Sequence, residues 1–234
     1  MNIRQKIEVF GDSILKGIQI NPDNNRYHVD NNIDIGLLES RFSLEIVNRA
    51  KFGCTITRGE QLVNKYLEES PKCTAIIMDF GGNDCDYKWA EVSENPDRDH
   101  EPHTPIQKFI RIYTKIIHTL QERAIQPILT TLPPLDPHRF FDWFYKDLNK
   151  ENILRFLGNI NAIYRAQEYY SRTVESIAKA TGAMIVDLRG AFLKERRIEN
   201  FLFLDGIHPS TEGQQLITNA FIGFAENVYN NEPH

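Results

Sequence analysis

Four polar stretches of this sequence contain residue types that together could carry out acyl transfer on a serine. A serine hydroxyl is a poor nucleophile at its ordinary pKa and needs a neighbouring base. The reaction also needs hydrogen-bond donors aimed at the negative oxygen that develops on the substrate. The stretches that offer these groups are Gly11-Asp12-Ser13, residues 48–53, Gly81-Gly82-Asn83-Asp84 and Asp205-Gly206-Ile207-His208.

The fourth stretch offers a base for the serine. Of the seven histidines, His208 lies in a short polar turn between Gly206 and Pro209. Asp205 stands three residues earlier and can fold back to accept a hydrogen bond from the imidazole, which leaves the other ring nitrogen for Ser13. We therefore predict that Ser13 is a nucleophile, that His208 is its general base and that Asp205 orients His208.

The remaining stretches offer donors for an oxyanion. The backbone N–H groups of Ser13 and Gly53 and the side-chain amide of Asn83 are of the right type. Two acids in the same stretches are assigned supporting roles. We expect Asp12 to form structural hydrogen bonds within its motif and Asp84 to brace the loop that holds Asn83.

The elements around these stretches predict how they are brought together. Strand-like runs at residues 7–10, 44–48, 74–80, 126–132 and 183–188 alternate with helical patterns at 35–42, 58–69, 105–123, 153–181 and 211–228. This order predicts an α/β protein in which helices cover both faces of a flavodoxin-like parallel sheet. The loops that follow parallel strands open at one edge of the sheet, so the four stretches can meet there. No repeat or linker divides residues 1–234, which predicts a single domain.

Two connections are longer than a simple turn requires, and both follow strands. Residues 85–104 are polar, whereas residues 133–150 contain a dense aromatic cluster at positions 140–145. Long connections inside a compact domain are often binding loops or lids. The sequence leaves open whether the aromatic cluster covers the site or packs against the helices.

Other residues that could carry chemistry have simpler interpretations. His100, His103 and His138 lie in the long connections without a helical ligand spacing, which favours solvated histidines over a metal site. Cys85 is expected to be a free buried thiol. The three cysteines are odd in number and lack CxxC spacing, which favours neither a zinc site nor a disulfide framework.

Composition sets bounds on partners and location. A net charge of −5 and a pI near 5.8, without a long basic run, argue against nucleic acid as a partner. No apolar run reaches the length needed to cross a bilayer. The first strand begins within a few residues of Met1 and leaves no room for a signal peptide, so we expect a cytoplasmic protein. The oligomeric state stays open.

Taken in order, the four blocks resemble those of the SGNH/GDSL hydrolase family. That family has a GDS serine, a glycine, a G-x-N-D and a D-x-x-H, which correspond here to Ser13, Gly53, Asn83 and His208 within their stretches. The resemblance implies a three-layer α/β/α fold with five parallel strands. It also implies the triad of Ser13, Asp205 and His208, the oxyanion hole of Ser13, Gly53 and Asn83, and no cofactor.

The favoured function is a serine esterase that removes short acyl groups, above all acetyl, from a carbohydrate or small-molecule ester. A lipase-like or lysophospholipase-like activity on longer acyl chains is the alternative, with the aromatic cluster at 140–145 as an apolar groove. A flavodoxin-like binding module without catalysis is the alternative from another class, because strand-end loops can hold phosphate at helix N-termini. The chain lacks both GxGxxG and P-loop patterns, and anion binding alone would not need Asp205 and His208.

Overall fold

The computed structural model describes residues 5–21, 23–29, 34–70 and 72–231. Its strands are β1 (Gln5–Gly11), β2 (Ile18–Asn21), β3 (Arg26–Val29), β4 (Leu44–Asn48), β5 (Ala75–Asp79), β6 (Gln126–Thr130) and β7 (Met184–Val186). Five of them form a parallel sheet in the order β4-β1-β5-β6-β7. The central strand is β5, and every one of its residues is buried. This agrees with the continuous apolar run at 74–80, since strands covered on both faces lack polar alternation.

Helices cover both faces of this sheet. They are α1 (Ser13–Lys16), α2 (Ile35–Phe42), α3 (Ile56–Glu68), α4 (Trp89–Glu94), α5 (Ile106–Glu122), α6 (Pro137–Phe144), α7 (Lys150–Leu157), α8 (Asn161–Thr181), α9 (Leu188–Leu193) and α10 (Thr211–Asn231), with a 3-10 helix at Ile198–Phe201. Helices α3, α5 and α8 contribute apolar side chains to the core on one face of the sheet, and α2, α9 and α10 to the core on the other. The predicted three-layer α/β/α fold is confirmed.

The helical region predicted at 153–181 is two helices. Gly158 ends α7 with a positive φ of 65°, and its N–H bonds to the carbonyl of Leu154 at 2.8 Å. The Asn159 side chain then accepts a hydrogen bond from the backbone N–H of Asn161, where α8 begins. A glycine with positive φ is a common helix end, so the break has a local cause.

An antiparallel hairpin of β2 and β3 was not predicted. It follows α1 directly and pairs Ile20 with Tyr27. Strand β3 is solvent-exposed along its length. Its alternating pattern is only four residues long, which gives a weak strand signal. The hairpin nevertheless matters, because it carries Tyr27 to the edge of the sheet where β1 ends.

The two long connections contain the short helices α4 and α6. With α7 and α8 they form a third apolar cluster, here called the edge cluster, whose buried members are Trp89, Val92, Leu135, Phe141, Ile153 and Ile163. Because the connections follow β5 and β6, this cluster lies beyond the carboxyl ends of the strands. Among the described residues, no helix has the length and apolar character that crossing a membrane requires.

Candidate active site

Ser13 stands at the point where β1 passes into α1. The carboxylate of Asp12 caps this short helix and accepts a hydrogen bond from the N–H of Ile14 at 2.8 Å. Gly11 allows close approach to the next strand, because a Cβ there would lie 2.9 Å from the Cβ of Asp79. Ser13 is the first residue of α1 and is 7% exposed. The turn thus places its hydroxyl beyond the carboxyl end of the strand.

The structure brings Asp205 and His208 together in one buried turn. Oδ1 of Asp205 accepts hydrogen bonds from the N–H groups of Ile207 and His208, each at 3.1 Å. Oδ2 of Asp205 lies 2.5 Å from Nδ1 of His208. Nε2 of His208 is buried and has no hydrogen-bond partner among the described residues. The carboxylate therefore fixes the ring through one nitrogen and leaves the other for chemistry.

Gly206 makes this turn possible. Its φ is 72°, and an added Cβ would lie 2.6 Å from the backbone oxygen of Asp136 and 2.8 Å from the Cβ of Arg139. Its own carbonyl accepts a hydrogen bond from the N–H of Asp136 at 2.8 Å. The turn that carries the Asp205–His208 pair is thus packed directly against the start of α6.

Asn83 is held beside the serine motif. Its Nδ2 donates to Oδ2 of Asp12 at 2.9 Å and lies 3.5 Å from the carbonyl of Cys54. Gly53 directly precedes Cys54 and has a φ of 64°. The loop of Gly53 is tied to β1 by the N–H of Lys51, which donates to the carbonyl of Gly11 at 2.9 Å. The predicted oxyanion donors therefore come from three loops joined by hydrogen bonds.

Asp84 lies behind this loop. Its two oxygens accept from the N–H of Ile56 at 2.9 and 3.1 Å, at the start of α3. Burial raises the pKa of Asp84 to about 6, and the hydrogen bonds from the Ile56 N–H partly oppose that shift. Asp84 thus connects the Asn83 loop to α3 and is not among the residues that line the cavity described next.

A cavity of about 250 Å³ opens beside Ser13 and Asn83. Its lining is mainly apolar and comes from the long connections, α7 and α8: Tyr87, Trp89, Leu132, Pro133, Leu135, Phe140, Phe156, Leu157, Ala162, Ile163, Ala166 and Ile207. Ile207 belongs to the Asp205–His208 turn, so this turn and the Ser13 motif border one space. For comparison, a dry apolar cavity of about 150 Å³ can bind benzene.

Acids line the polar part of the cavity. Burial raises the pKa of Asp79 and of Asp86 to about 6. It also raises the pKa of Asp12 well above its ordinary value, and the neighbouring charge of Asp79 adds to that effect. Thr130 donates to Oδ1 of Asp79 at 2.7 Å, and the Trp89 indole donates to Asp86 at 2.8 Å. Burial of several carboxyls in one region disfavours their charged forms, which is the common cause of these upward shifts.

The aromatic cluster at 140–145 has two roles. Phe140 lines the cavity, whereas Phe141 is buried in the edge cluster and stacks on Tyr145. Phe144 stacks on Trp89 with ring centroids 4.5 Å apart. Trp143 faces the hairpin, and its ring centroid lies 6.2 Å from that of Tyr27. One part of the cluster borders the cavity, and another part packs against neighbouring helices. Each of the two interpretations that the sequence left open therefore holds for part of the cluster.

Aromatic residues that the sequence did not single out surround His208. The centroid of the Tyr27 ring lies 5.2 Å from that of His208, and the Phe52 ring is stacked at 6.1 Å. Phe52 directly precedes Gly53, so its place next to a predicted site glycine was an available signal. For Tyr27, the only signal in the sequence was the weak polar–apolar alternation of the short hairpin strands.

The three histidines of the long connections bond to backbone carbonyls or face solvent. A ring nitrogen of His100 lies 2.8 Å from the carbonyl of Asn95, and one of His103 lies 3.0 Å from that of Asn83. His138 is exposed. In the described part of the chain, no group of three or more histidine, cysteine, aspartate and glutamate side chains is arranged to hold a metal ion.

The cysteines are buried and free. Cys54, Cys73 and Cys85 form no disulfide. The thiol of Cys85 donates to the carbonyl of Gly82 at 3.2 Å, and burial raises its pKa well above the ordinary value. A thiol with a raised pKa is a poor nucleophile at neutral pH. This fits the buried structural thiol expected for Cys85.

Fold and site together define a class of protein. It has three layers and five parallel strands, its serine, glycine and asparagine blocks follow strands, and its Asp–His block lies in the turn before the last helix, as in SGNH-type proteins. A model of the GDSL-like Lipase/Acylhydrolase family matches residues 9–216. The chain belongs to this family.

Relatives and structural neighbours are consistent with that assignment. A GDSL esterase/lipase from rice (Oryza sativa subsp. japonica) is 26% identical over 187 residues, which is 76% of this chain and 64% of the rice protein. The chain thus spans less than two thirds of that relative's length. A lipase/acylhydrolase from Enterococcus faecalis has a similar structure, with a TM-score of 0.64, 20% identity and coverage of 95% of this chain and 96% of the other. A mutant of an acetyl-xylooligosaccharide esterase from Geobacillus stearothermophilus gives a TM-score of 0.67 at 19% identity, with coverage of 96% of each chain.

Proposed function

We propose that this protein is a serine esterase that hydrolyses carboxylic esters through an acyl-enzyme. The observation that carries the proposal is the buried pair of Asp205 and His208, joined at 2.5 Å, in a turn whose Ile207 borders the same cavity as Ser13. A histidine oriented by a carboxylate through Nδ1 has Nε2 available as a base. Family membership supports the same reaction class.

In the proposed acylation step, the Ser13 hydroxyl attacks the ester carbonyl carbon while Nε2 of His208 takes its proton. The carbonyl oxygen becomes an oxyanion held by the N–H groups of Ser13 and Gly53 and by the Asn83 amide. The intermediate then collapses, the bond to the alcohol oxygen breaks, and protonated His208 gives its proton to the departing alcohol. The acyl group is left as an ester on Ser13.

Deacylation repeats this chemistry with water. His208 takes a proton from a water molecule, the resulting hydroxide attacks the acyl-enzyme, and the same donors hold the second oxyanion. The proton returns to Ser13 as its bond to the acyl carbon breaks, which releases a carboxylic acid. Asp205 stabilises the imidazolium in both steps and keeps its ring orientation.

The proposed substrate is a short acyl ester, above all an acetyl ester, of a carbohydrate or small molecule. The rings of Phe52 and Tyr27 support this, since they are 50% and 39% exposed and lie beside His208, the group that would protonate the leaving alcohol. Exposed aromatic faces suit a ring-shaped alcohol. A structural neighbour is described as an acetyl-xylooligosaccharide esterase.

The Ser13→Ala variant tests the mechanism. It should lose hydrolysis of p-nitrophenyl acetate while its circular dichroism spectrum stays that of the wild type. A fluorophosphonate should label the wild type and not this variant. Ser176→Ala is the matched control, because Ser176 is an exposed serine on α8 whose hydroxyl bonds to the Arg172 carbonyl. Unchanged hydrolysis and labelling in Ser13→Ala would refute the mechanism, whereas a wild-type protein that neither hydrolyses the ester nor is labelled would favour a binding module.

The cavity favours a second candidate, an acylhydrolase for longer chains. At about 250 Å³ its volume exceeds what an acetyl group fills, and its walls are mainly apolar. Here the acyl chain would enter the cavity while the alcohol lies on the side of Phe52 and Tyr27. A panel of esters from acetyl to decanoyl separates the candidates. A steep fall of kcat/KM beyond butyryl excludes the longer-chain reaction, and a maximum at longer chains excludes the acetyl preference.

A further inference from the structure

We propose that Tyr27 is a positioning residue for the Asp205–His208 pair, and that packing of Trp143 against the Tyr27 ring holds this ring in place. The inference rests on the proposed function, in which His208 is the base. The residues belong to three separate parts of the chain: the hairpin, α6 and the turn before α10. None of the four sequence blocks includes Tyr27 or Trp143.

The first part of the argument is geometric. The Tyr27 hydroxyl donates to Oδ2 of Asp205 at 3.3 Å, and Oδ2 is also the oxygen that lies 2.5 Å from Nδ1 of His208. Oδ1 of Asp205 is already occupied by two backbone N–H groups. The carboxylate thus has four donors within the described part of the chain. One of them comes from a side chain outside its own turn, so the tyrosine can change how strongly Asp205 attracts His208.

The second part concerns the support of the Tyr27 ring. The Trp143 ring meets the Tyr27 ring edge-on, with centroids 6.2 Å apart and planes at 63°. Burial and the Asp205 charge raise the pKa of the Tyr27 hydroxyl, so this hydroxyl keeps its proton at neutral pH and can donate it to Asp205. Trp143 therefore packs against the ring whose hydroxyl donates to the carboxylate, and His208 donates to the same carboxylate.

The third part concerns how the Tyr27 ring shields His208 from water. The Tyr27 ring lies 5.2 Å from the His208 ring and 5.3 Å from that of Phe52, centroid to centroid. His208 is 2% exposed although it stands at the edge of the sheet. The hairpin therefore covers the imidazole with an aromatic face while the hydroxyl of the same residue bonds to Asp205. Lower local polarity strengthens the hydrogen bonds beneath this cover.

The charges around the pair determine the expected pH effect. Asp205 lies 2.5 Å from Nδ1 of His208, and the Tyr27 ring packs beside the imidazole. At the start of α6, Asp136 and Arg139 pair at 3.4 Å beside Gly206. The Lys146 ammonium lies 4.6 Å from the Trp143 ring centroid. A substitution that removes only the Tyr27 hydroxyl leaves all of these charges in place.

The Tyr27→Phe variant tests the proposal, because phenylalanine keeps the ring packing. Without the hydroxyl, the Asp205 carboxylate carries more uncompensated charge and holds the His208 imidazolium more tightly. The acid limb of the kcat/KM–pH profile should therefore move to higher pH. The kcat should fall about fivefold, because the carboxylate also loses the donor that fixes its position, and this is the size of effect expected for one modest hydrogen bond. Tyr229→Phe is the matched control, since its hydroxyl bonds to the Phe42 carbonyl far from the site and its loss should not move the profile.

Trp143→Ala tests the support of the Tyr27 ring. Without the indole, the ring and its hydroxyl are held less firmly, so the profile should shift in the same direction by a smaller amount. In the Tyr27→Phe background Trp143→Ala should cause no further shift, because its effect passes through the hydroxyl. Equal shifts of Trp143→Ala in the two backgrounds would contradict this role of Trp143, and a Tyr27→Phe profile that superimposes on the wild type would overturn the proposal. If Tyr27→Phe does not fold, a Trp143→Ala profile like that of the wild type overturns it instead.

A substrate-free measurement separates failure of this proposal from failure of the proposed function. The proton between Nδ1 of His208 and Asp205 should give a downfield ¹H NMR resonance, and it should move further downfield in Tyr27→Phe. An unmoved resonance counts against the role of Tyr27, even if esterase activity depends on Ser13. Hydrolysis that survives in Ser13→Ala, by contrast, counts against the esterase mechanism and leaves the NMR result intact.

Discussion

The side-chain amide of Asn83 donates to Oδ2 of Asp12 at 2.9 Å. This bond joins the loop after β5 to the helix cap after β1, two positions 71 residues apart in the chain. Because Asp12 also caps the helix that begins with Ser13, one carboxylate places both the proposed nucleophile and a proposed oxyanion donor. The pair is therefore the direct structural link between the serine block and the asparagine block.

The Asn83→Ala variant should lower kcat for p-nitrophenyl acetate by about 100- to 1,000-fold, the typical effect of losing one oxyanion donor. The cause is loss of an amide N–H that strengthens its bond as charge develops on the substrate oxygen. Steady-state kinetics measures this, with Asn219→Ala, an exposed asparagine on α10, as the control. A higher KM with an unchanged kcat would contradict the role of Asn83 as an oxyanion donor.

Gly206→Ala should lower the free energy of unfolding by about 3 kcal/mol, through left-handed strain and a clash with the start of α6. The φ of 72° and the 2.6 Å approach to the Asp136 oxygen are the structural reasons. Urea denaturation measures the change. Gly223→Ala in α10 is the control, since its added Cβ meets nothing within 4 Å, and it should stabilise the helix by about 0.5–1 kcal/mol. A Gly206→Ala variant as stable as the wild type would contradict the tight turn.

Asp79 should make the protein less stable as the pH rises from about 4 to about 7. Its pKa is raised to about 6 in the folded state by burial, whereas an unfolded aspartate titrates near 3.9. The folded state therefore binds the proton more tightly, and this stabilising contribution is complete at low pH and lost as the pH passes through about 6. Asp79→Asn should raise the free energy of unfolding at pH 8 by about 2 kcal/mol and change it little at pH 4.

Urea denaturation at the two pH values measures this difference. The amide can keep an acceptor for the hydroxyl of Thr130, which bonds to Oδ1 of the carboxyl at 2.7 Å. Asp147→Asn, at an exposed aspartate, is the control and should show no such pH dependence. If Asp79→Asn raises the free energy of unfolding by the same amount at pH 4 and pH 8, ionisation of this buried carboxyl is not the cause of the increase.

Ala166→Leu should narrow the cavity and reduce kcat/KM for an octanoyl ester about tenfold more than for an acetyl ester, if acyl chains enter there. Ala166 lies on α8 and lines the cavity. Ala180→Leu, on the exposed side of the same helix, is the matched control. Parallel losses for both esters would show that the acyl chain lies elsewhere. The kcat/KM values for the panel of acyl esters are measured for the wild type and for both variants under the same conditions.

Much of the fold could be predicted because strand and helix periodicities are local properties of the sequence. The central position of β5 followed from its continuous apolar run, and α2 and β4 were predicted with the bounds the structure gives. The break at Gly158 was missed, since a single glycine within a long helical pattern is often tolerated. The hairpin was missed because β2 and β3 have only four residues each and because β3 is exposed along its whole length.

The candidate site likewise contains residues that the sequence predicts and residues that it does not. Ser13, Asn83 and His208 lie in motifs whose residue order can be read directly. Tyr27 and Trp143 have no motif, and their relation to Asp205 depends on how a hairpin and α6 pack over a turn more than 60 residues further along the chain. No local pattern encodes such contacts, because they arise from packing between distant elements.

The sequence by itself determined the order of the elements, the parallel sheet and the residue types at the ends of its strands, because hydrophobic period and turn residues act over a few positions. Only the tertiary structure decided which acids lie together in the buried region, how large the cavity beside Ser13 is, and which aromatic rings cover His208. Those properties depend on distances between side chains far apart in the chain, and packing of the complete sheet and its helices sets these distances.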